Sequence, residues 1–207
     1  ILEREKKRYI SSISQSDVMP ATIASKAFMS ALYGDHPYGL SSSGEADTIE
    51  KIIKKDLDNF YKNNYLSNEL SIVIVGDISQ KEAEGIGKKI SLGFTENKMI
   101  SSIPLVRDKK GEEIRINHPA KQAHLYYGAP IIKRGDPDFL SLYLGNYILG
   151  GGGFVSRLTQ EIREDRGLAY SVYSYFMPFI EKGPFQIGVQ TKKNQVDQAK
   201  KIIEKTV

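Results

Sequence analysis

Arg163 and Tyr170 stand seven positions apart with Gly167 between them. A guanidinium and a phenol are both hydrogen-bond donors, suited to a carbonyl oxygen that is gaining negative charge. A turn at Gly167 would fold the chain back and let both side chains point into one pocket. The same residues also allow a plainer arrangement, in which Arg163 pairs with Glu161 or Glu164 at the surface and Tyr170 belongs to the core. Upstream, four consecutive glycines, Gly150 to Gly153, interrupt an apolar run. Backbone amides ahead of a helix attract anions, but a phosphate loop needs Lys followed by Ser or Thr, and Phe154, Val155 and Ser156 stand there instead. A dinucleotide loop would follow a strand, whereas the residues before Gly150 have helical spacing. The glycines are then a mobile hinge, or a place where another backbone approaches closely, an extended peptide included. His36, His118 and His124 are isolated; neither HxxEH nor HExxH occurs, and spacing indicates no Ser, His and acid set.

The elements that must position these groups are legible from periodicity. Leu2 to Ser14 is an amphipathic helix, and Pro20 opens a second one that Gly34 terminates. The turn formers of 34–47 predict an exposed loop. Thr48 caps a third helix carrying Ile49, Ile52, Ile53, Leu57 and Phe60. Leu70 to Val75 has the composition of a buried strand, and Ser79 with Glu82 forms a capping box for a helix that ends near Leu92. Strands are expected at Glu113 to Asn117 and Ala123 to Ala129. Asp136 and Pro137 then open a helix that buries Phe139, Leu142, Tyr143 and Tyr147. After the glycines come a short helix and a strand that places Leu168, Tyr170, Val172 and Phe176 on one side. A turn at Lys182 and Gly183 leads to a second strand over Phe185, Ile187 and Val189, and Val196, Ala199, Ile202 and Ile203 mark a last helix.

The chain has 207 residues, 40% hydrophobic and 26% charged, which suffices for a sizeable core. Its formal charge of +4 is spread among acidic residues rather than gathered in one block, so nucleic acid is not an expected partner. No apolar run has the length of a membrane span. The absence of cysteine removes disulfide and thiol chemistry. The sequence starts at Ile1 and stops at Val207 within a helical pattern, as expected of a fragment of a longer protein.

The run LGGGGFVSRLTQEIREDRGLAYSVYS resembles the second-half signature of the insulinase and pitrilysin type zinc peptidases, the inverzincins. GDHPYG near Gly34, IVIVGDIS ending at Ser79 and DPDF near Phe139 are similar to bacterial members of that family. The resemblance implies an α+β fold of two tandem homologous units, each an antiparallel sheet with helices packed on one side. Residues 1–95 would be the C-terminal part of the first unit, 96–112 a linker, and 113–207 the N-terminal part of the second. It implies metal-assisted hydrolysis of peptides or small proteins in a clam-shell chamber. Zinc would belong to the assembled full-length enzyme rather than to this fragment, and the HxxEH motif would lie before Ile1. Arg163 and Tyr170 are implied as catalytic residues that bind substrate backbone and oxyanion. Gly150, Gly151, Gly152, Gly153 and Phe154 would flank the peptide, and Glu3 matches the context of a third zinc ligand. A homo- or heterodimer with another family subunit is expected, in the bacterial periplasm or alternatively the cytoplasm. The alternative is a noncatalytic structural or companion subunit of the same fold.

Overall fold

The computed structural model describes residues 1–67, 70–94 and 102–207. The fold is α+β, with seven α-helices and one three-stranded antiparallel sheet among these residues. Contacts divide the chain into two compact units: residues 1–10 with 46–102, and residues 11–45 with 103–207. Part of the expected linker, 96–101, lies outside the described residues.

The first unit is helical. It contains the start of α1 (Leu2–Asp17), then α3 (Ala46–Lys51), α4 (Lys54–Asn64) and α5 (Gln80–Ser91). The single helix expected from Thr48 onward is broken into two. Its apolar spacing runs on across the break, but the Ile53 amide donates to Asp56 Oδ2 at 2.9 Å, and this local bond starts a new helix. The capping box of α5 is present: Ser79 N–H donates to Glu82 Oε2 at 3.0 Å, and Glu82 N–H donates to Ser79 Oγ at 3.4 Å. Tyr61, Tyr65 and Phe94 stack on one another and tie the end of α4 to the turn after α5. Leu70 to Val75, expected as a buried strand, forms no strand. Val73 and Val75 are fully open while Ile72 and Ile74 are more covered, so the period of two is present. Among the described residues no neighbouring strand stands beside it to accept the ladder bonds.

The second unit holds the sheet, in the order β1 (Gln122–Ile132), β3 (Gly183–Lys192), β2 (Ala169–Phe176). One face carries Leu125, Val172, Ile187 and Val189. Helix α7 (Val196–Thr206) covers it with Ala199 and Ile203, and the helical segment 157–164 covers it with Leu158 and Ile162. The other face carries Tyr126, Gly188 and Tyr173 in register. There, Phe28 of α2 (Pro20–Tyr33) meets the Tyr126 ring at 5.8 Å. Glu113 to Asn117, expected as a strand, forms none; ion pairs hold it instead. Lys200 and Arg115 both engage Glu113, and Arg115 also reaches Asp197 at 2.7 Å. The loop at 34–47 is not simply exposed. Its Tyr38 Oη accepts from the Glu181 amide at 3.0 Å and, beside it, the buried Tyr33 at the end of α2 donates to the Lys182 carbonyl at 3.1 Å, so the two tyrosines grip the β2–β3 connection.

Candidate functional site

The segment 146–176 begins at the end of α6 (Phe139–Asn146). This helix starts later than expected, because Asp136 Oδ1 accepts from the Asp138 amide at 3.0 Å and closes a turn ahead of it. Its burial also differs from the expectation. Tyr143 and Tyr147 are exposed, Phe139 and Leu142 are half-buried, and the residue turned fully inward is Asn146. Asn146 is buried because Ser174 of β2 satisfies it: Asn146 Nδ2 donates to the Ser174 carbonyl at 3.1 Å, and Ser174 Oγ donates to Asn146 Oδ1 at 2.6 Å.

The four glycines follow as a π-helical turn, Tyr147–Gly151, and a 3-10 turn, Gly153–Val155. The close-approach explanation applies to the first three. A Cβ at Gly150 would run into Ser174 Oγ and the Ser174 amide, while at Gly151 and Gly152 it would come within 2.6 Å of Asn146 Nδ2 and of the Tyr147 carbonyl. Gly153 is needed for its φ of +62°. Gly150 is buried, Gly152 half-buried, and Gly151 and Gly153 exposed. Below them Ser156 is buried, its hydroxyl bonded to the Gly153 carbonyl at 2.7 Å and to Thr159 Oγ1 at 2.9 Å. These bonds fix the turn that carries Phe154 and Val155 into solvent.

The next helical segment has π geometry over Thr159–Glu164, with Leu158, Thr159 and Ile162 buried. Arg163 leaves it on the open side. Gly167, at φ +58°, reverses the chain, and its amide donates to the Arg163 carbonyl at 2.9 Å. Strand β2 then starts with an irregularity. Ala169 pairs with Thr191 and Ser171 pairs with Gln190, which leaves Tyr170 as an extra residue in a β-bulge. Strict alternation would have placed Tyr170 with the apolar set. The bulge turns it outward instead, 81% exposed.

Outward rotation brings Tyr170 to Arg163: the guanidinium carbon lies 5.4 Å from the Tyr170 ring centroid and 4.7 Å from that of Phe154. Arg163 Nε is 3.4 Å from Glu164 Oε1, so the ion pair open to it from the sequence exists with Glu164; Glu161 is taken by Arg166. Among the described residues Nη1 and Nη2 make no hydrogen bond. The site therefore offers free guanidinium donors and a phenol on one exposed ledge. Phe154, Arg163 and Tyr170 come together, while Gly150 serves from beneath. Sequence reasoning missed Asn146, Ser174 and Ser156. The signal available for them was a polar residue at core spacing inside each apolar run.

Glu3 belongs to the first unit, exposed in the first turn of α1 and paired with Lys6 Nζ at 3.3 Å. Among the described residues no three His, Cys, Asp or Glu side chains come together to hold a metal ion. These residues alone do not fit zinc, and Glu3 would need ligands from outside them. His36 Nδ1 accepts from the Tyr38 amide at 3.1 Å, and His118 Nδ1 from the Ala120 amide at 3.1 Å, so both brace local turns. Burial pushes the His124 pKa below its usual value. A groove of about 740 Å³ runs beside β1, lined by Phe28, Arg115, Tyr126 and Lys200 among others, and does not include Arg163 or Tyr170. No helix among the described residues is long and apolar enough to cross a membrane.

A crystal structure of a peptidase M16 inactive domain from Pseudomonas fluorescens superimposes with a TM-score of 0.94 at 35% identity, over 99% of this chain and 50% of that one. YmxG of Bacillus subtilis, named an uncharacterized zinc protease, is 29% identical over 100% of this chain and 50% of its own length. YmxG of Helicobacter pylori, named a non-peptidase homolog, is 28% identical over 100% of this chain and 49% of its own length. The chain thus spans about half the length of these curated relatives. A profile of the peptidase M16 inactive domain matches residues 51–207, and the chain belongs to that family.

Proposed function

We propose that this chain supplies the substrate-binding and oxyanion-stabilising half of a peptide hydrolase. The observation that carries the proposal is the placement of Arg163 beside an outward-turned Tyr170, with the Nη donors of Arg163 unengaged among the described residues. In this role Arg163 Nη donors and the Tyr170 hydroxyl bind the carbonyl oxygen of an extended peptide. They hold it more tightly as it gains negative charge, which is where binding accelerates a reaction. The exposed backbone of Gly151 and Gly153 borders the peptide, while Gly150 packs the loop on Ser174 of β2 and Gly152 packs on Tyr147. Relatives named zinc proteases support hydrolysis as the reaction class. The roles assigned to this chain are binding and charge stabilisation, with the remaining groups supplied by another part of the assembled protein, either its own second half or a family partner.

The test is peptide hydrolysis by the assembled full-length protein. Arg163→Ala and Tyr170→Phe are each expected to lower kcat/KM by about tenfold or more without shifting the unfolding midpoint. Wild-type turnover in both variants would remove the assignment. A second reading, a noncatalytic subunit of the same fold, is favoured by the relative named a non-peptidase homolog. It predicts no peptide hydrolysis by the wild-type assembly.

A further inference from the structure

We propose that Phe154 is a positioning residue that holds the Arg163 guanidinium in place through its ring. This deepens the function proposed above and rests on it.

An arginine on an open ledge has several rotatable bonds, and ordering it on ligand binding opposes affinity. Few contacts fix this one. The Glu164 pair is through Nε alone, at 3.4 Å, and both partners are partly exposed, where such pairs contribute little. The two ring contacts remain, and of these Phe154 is the nearer, at 4.7 Å against 5.4 Å for Tyr170. Stacking on a ring occupies the faces of a guanidinium and leaves its N–H edges free for a carbonyl oxygen. Phe154 itself is held from behind by the positive φ of Gly153 and by the buried Ser156 hydroxyl on the Gly153 carbonyl. It is 69% exposed and lies outside the hydrophobic core, so core packing does not account for a phenylalanine here. The glycine loop thus acts as a bracket that presents one aromatic ring to one arginine.

Two measurements on the full-length assembled protein test this. In a side-chain NMR spectrum the Arg163 Nε–H signal, assigned by its loss in Arg163→Ala, should be ring-current shifted. Phe154→Ala should remove the larger part of that shift, the Tyr170 ring at 5.4 Å accounting for the remainder, and Phe154→Tyr should leave it shifted. In peptide hydrolysis, Phe154→Ala should lower kcat/KM by about 2- to 30-fold at an unchanged unfolding midpoint. Phe154→Tyr should retain activity, and adding Phe154→Ala to Arg163→Ala should cost nothing further. An unshifted Nε–H signal, or full multiplicative losses in the double variant, overturns the positioning role and leaves the Arg163 assignment standing. A ring-shifted signal together with wild-type activity in Arg163→Ala overturns the underlying function, and the catalytic part of this proposal with it.

Discussion

Ser174 and Asn146 hydrogen-bond each other twice inside the protein, hydroxyl to amide oxygen at 2.6 Å and amide to carbonyl at 3.1 Å. This pair is the floor of the glycine loop, since Gly150 packs on Ser174 and Gly151 on Asn146. Replacing Asn146 by Leu leaves the buried Ser174 hydroxyl without its acceptor. The expected loss is about 1–3 kcal/mol of stability. Gly150→Ala forces a methyl into the same space and should lose about 1–3 kcal/mol through overpacking. Chemical denaturation measures both, and unchanged midpoints would show that the pair does not anchor the loop.

The β-bulge at Tyr170 has its own fastening. Thr191, opposite Ala169, is buried and donates its hydroxyl to the Leu168 carbonyl at 2.5 Å, one residue before the strand begins. Thr191→Val keeps the shape and removes the donor, leaving that carbonyl short of a partner, so stability should fall by about 1–3 kcal/mol. Thr191→Ser keeps the hydroxyl and should fall by less. If both lose the same amount, the bond to Leu168 is not what matters at this position.

The contrast between α7 and β2 shows what the sequence reveals of this fold. Val196, Ala199, Ile202 and Ile203 mark α7 by spacing alone, because a helix satisfies its own backbone and needs only one apolar stripe. Leu70 to Val75 and Glu113 to Asn117 have strand composition yet form no strand, because a strand is completed by a neighbour that local pattern does not specify. Tyr170 fails for a third reason. One inserted residue inverts the facing of a strand position, and alternation cannot reveal the insertion. Thus the types of Arg163 and Tyr170 were readable as donors, while their meeting depends on a bulge set by Thr191 and Gln190 of another strand. The glycines divide similarly: their number showed that side chains were excluded, but only the fold shows that Ser174, Asn146 and Tyr147 exclude them.

The tyrosine cluster on the other face of the sheet is expected to make stability fall at alkaline pH. Tyr126 is raised from the usual 10.0 to about 12, first by burial and then by the nearby Tyr173 phenol. Tyr33 and Tyr175 are also raised, again mainly by burial. A raised phenol keeps its proton in the folded state after the unfolded chain has released it. The associated stability is complete below about pH 10 and is lost as pH rises from there through the folded value near 12. Urea midpoints at pH 9 and pH 11 should therefore differ in the wild type, lower at the higher pH. Tyr126→Phe cannot ionise, so it should narrow that difference without abolishing it, since Tyr33 and Tyr175 remain. An equal drop in both proteins would show that Tyr126 ionises as readily folded as unfolded, and that the face it shares with Gly188 and Tyr173 is open to water.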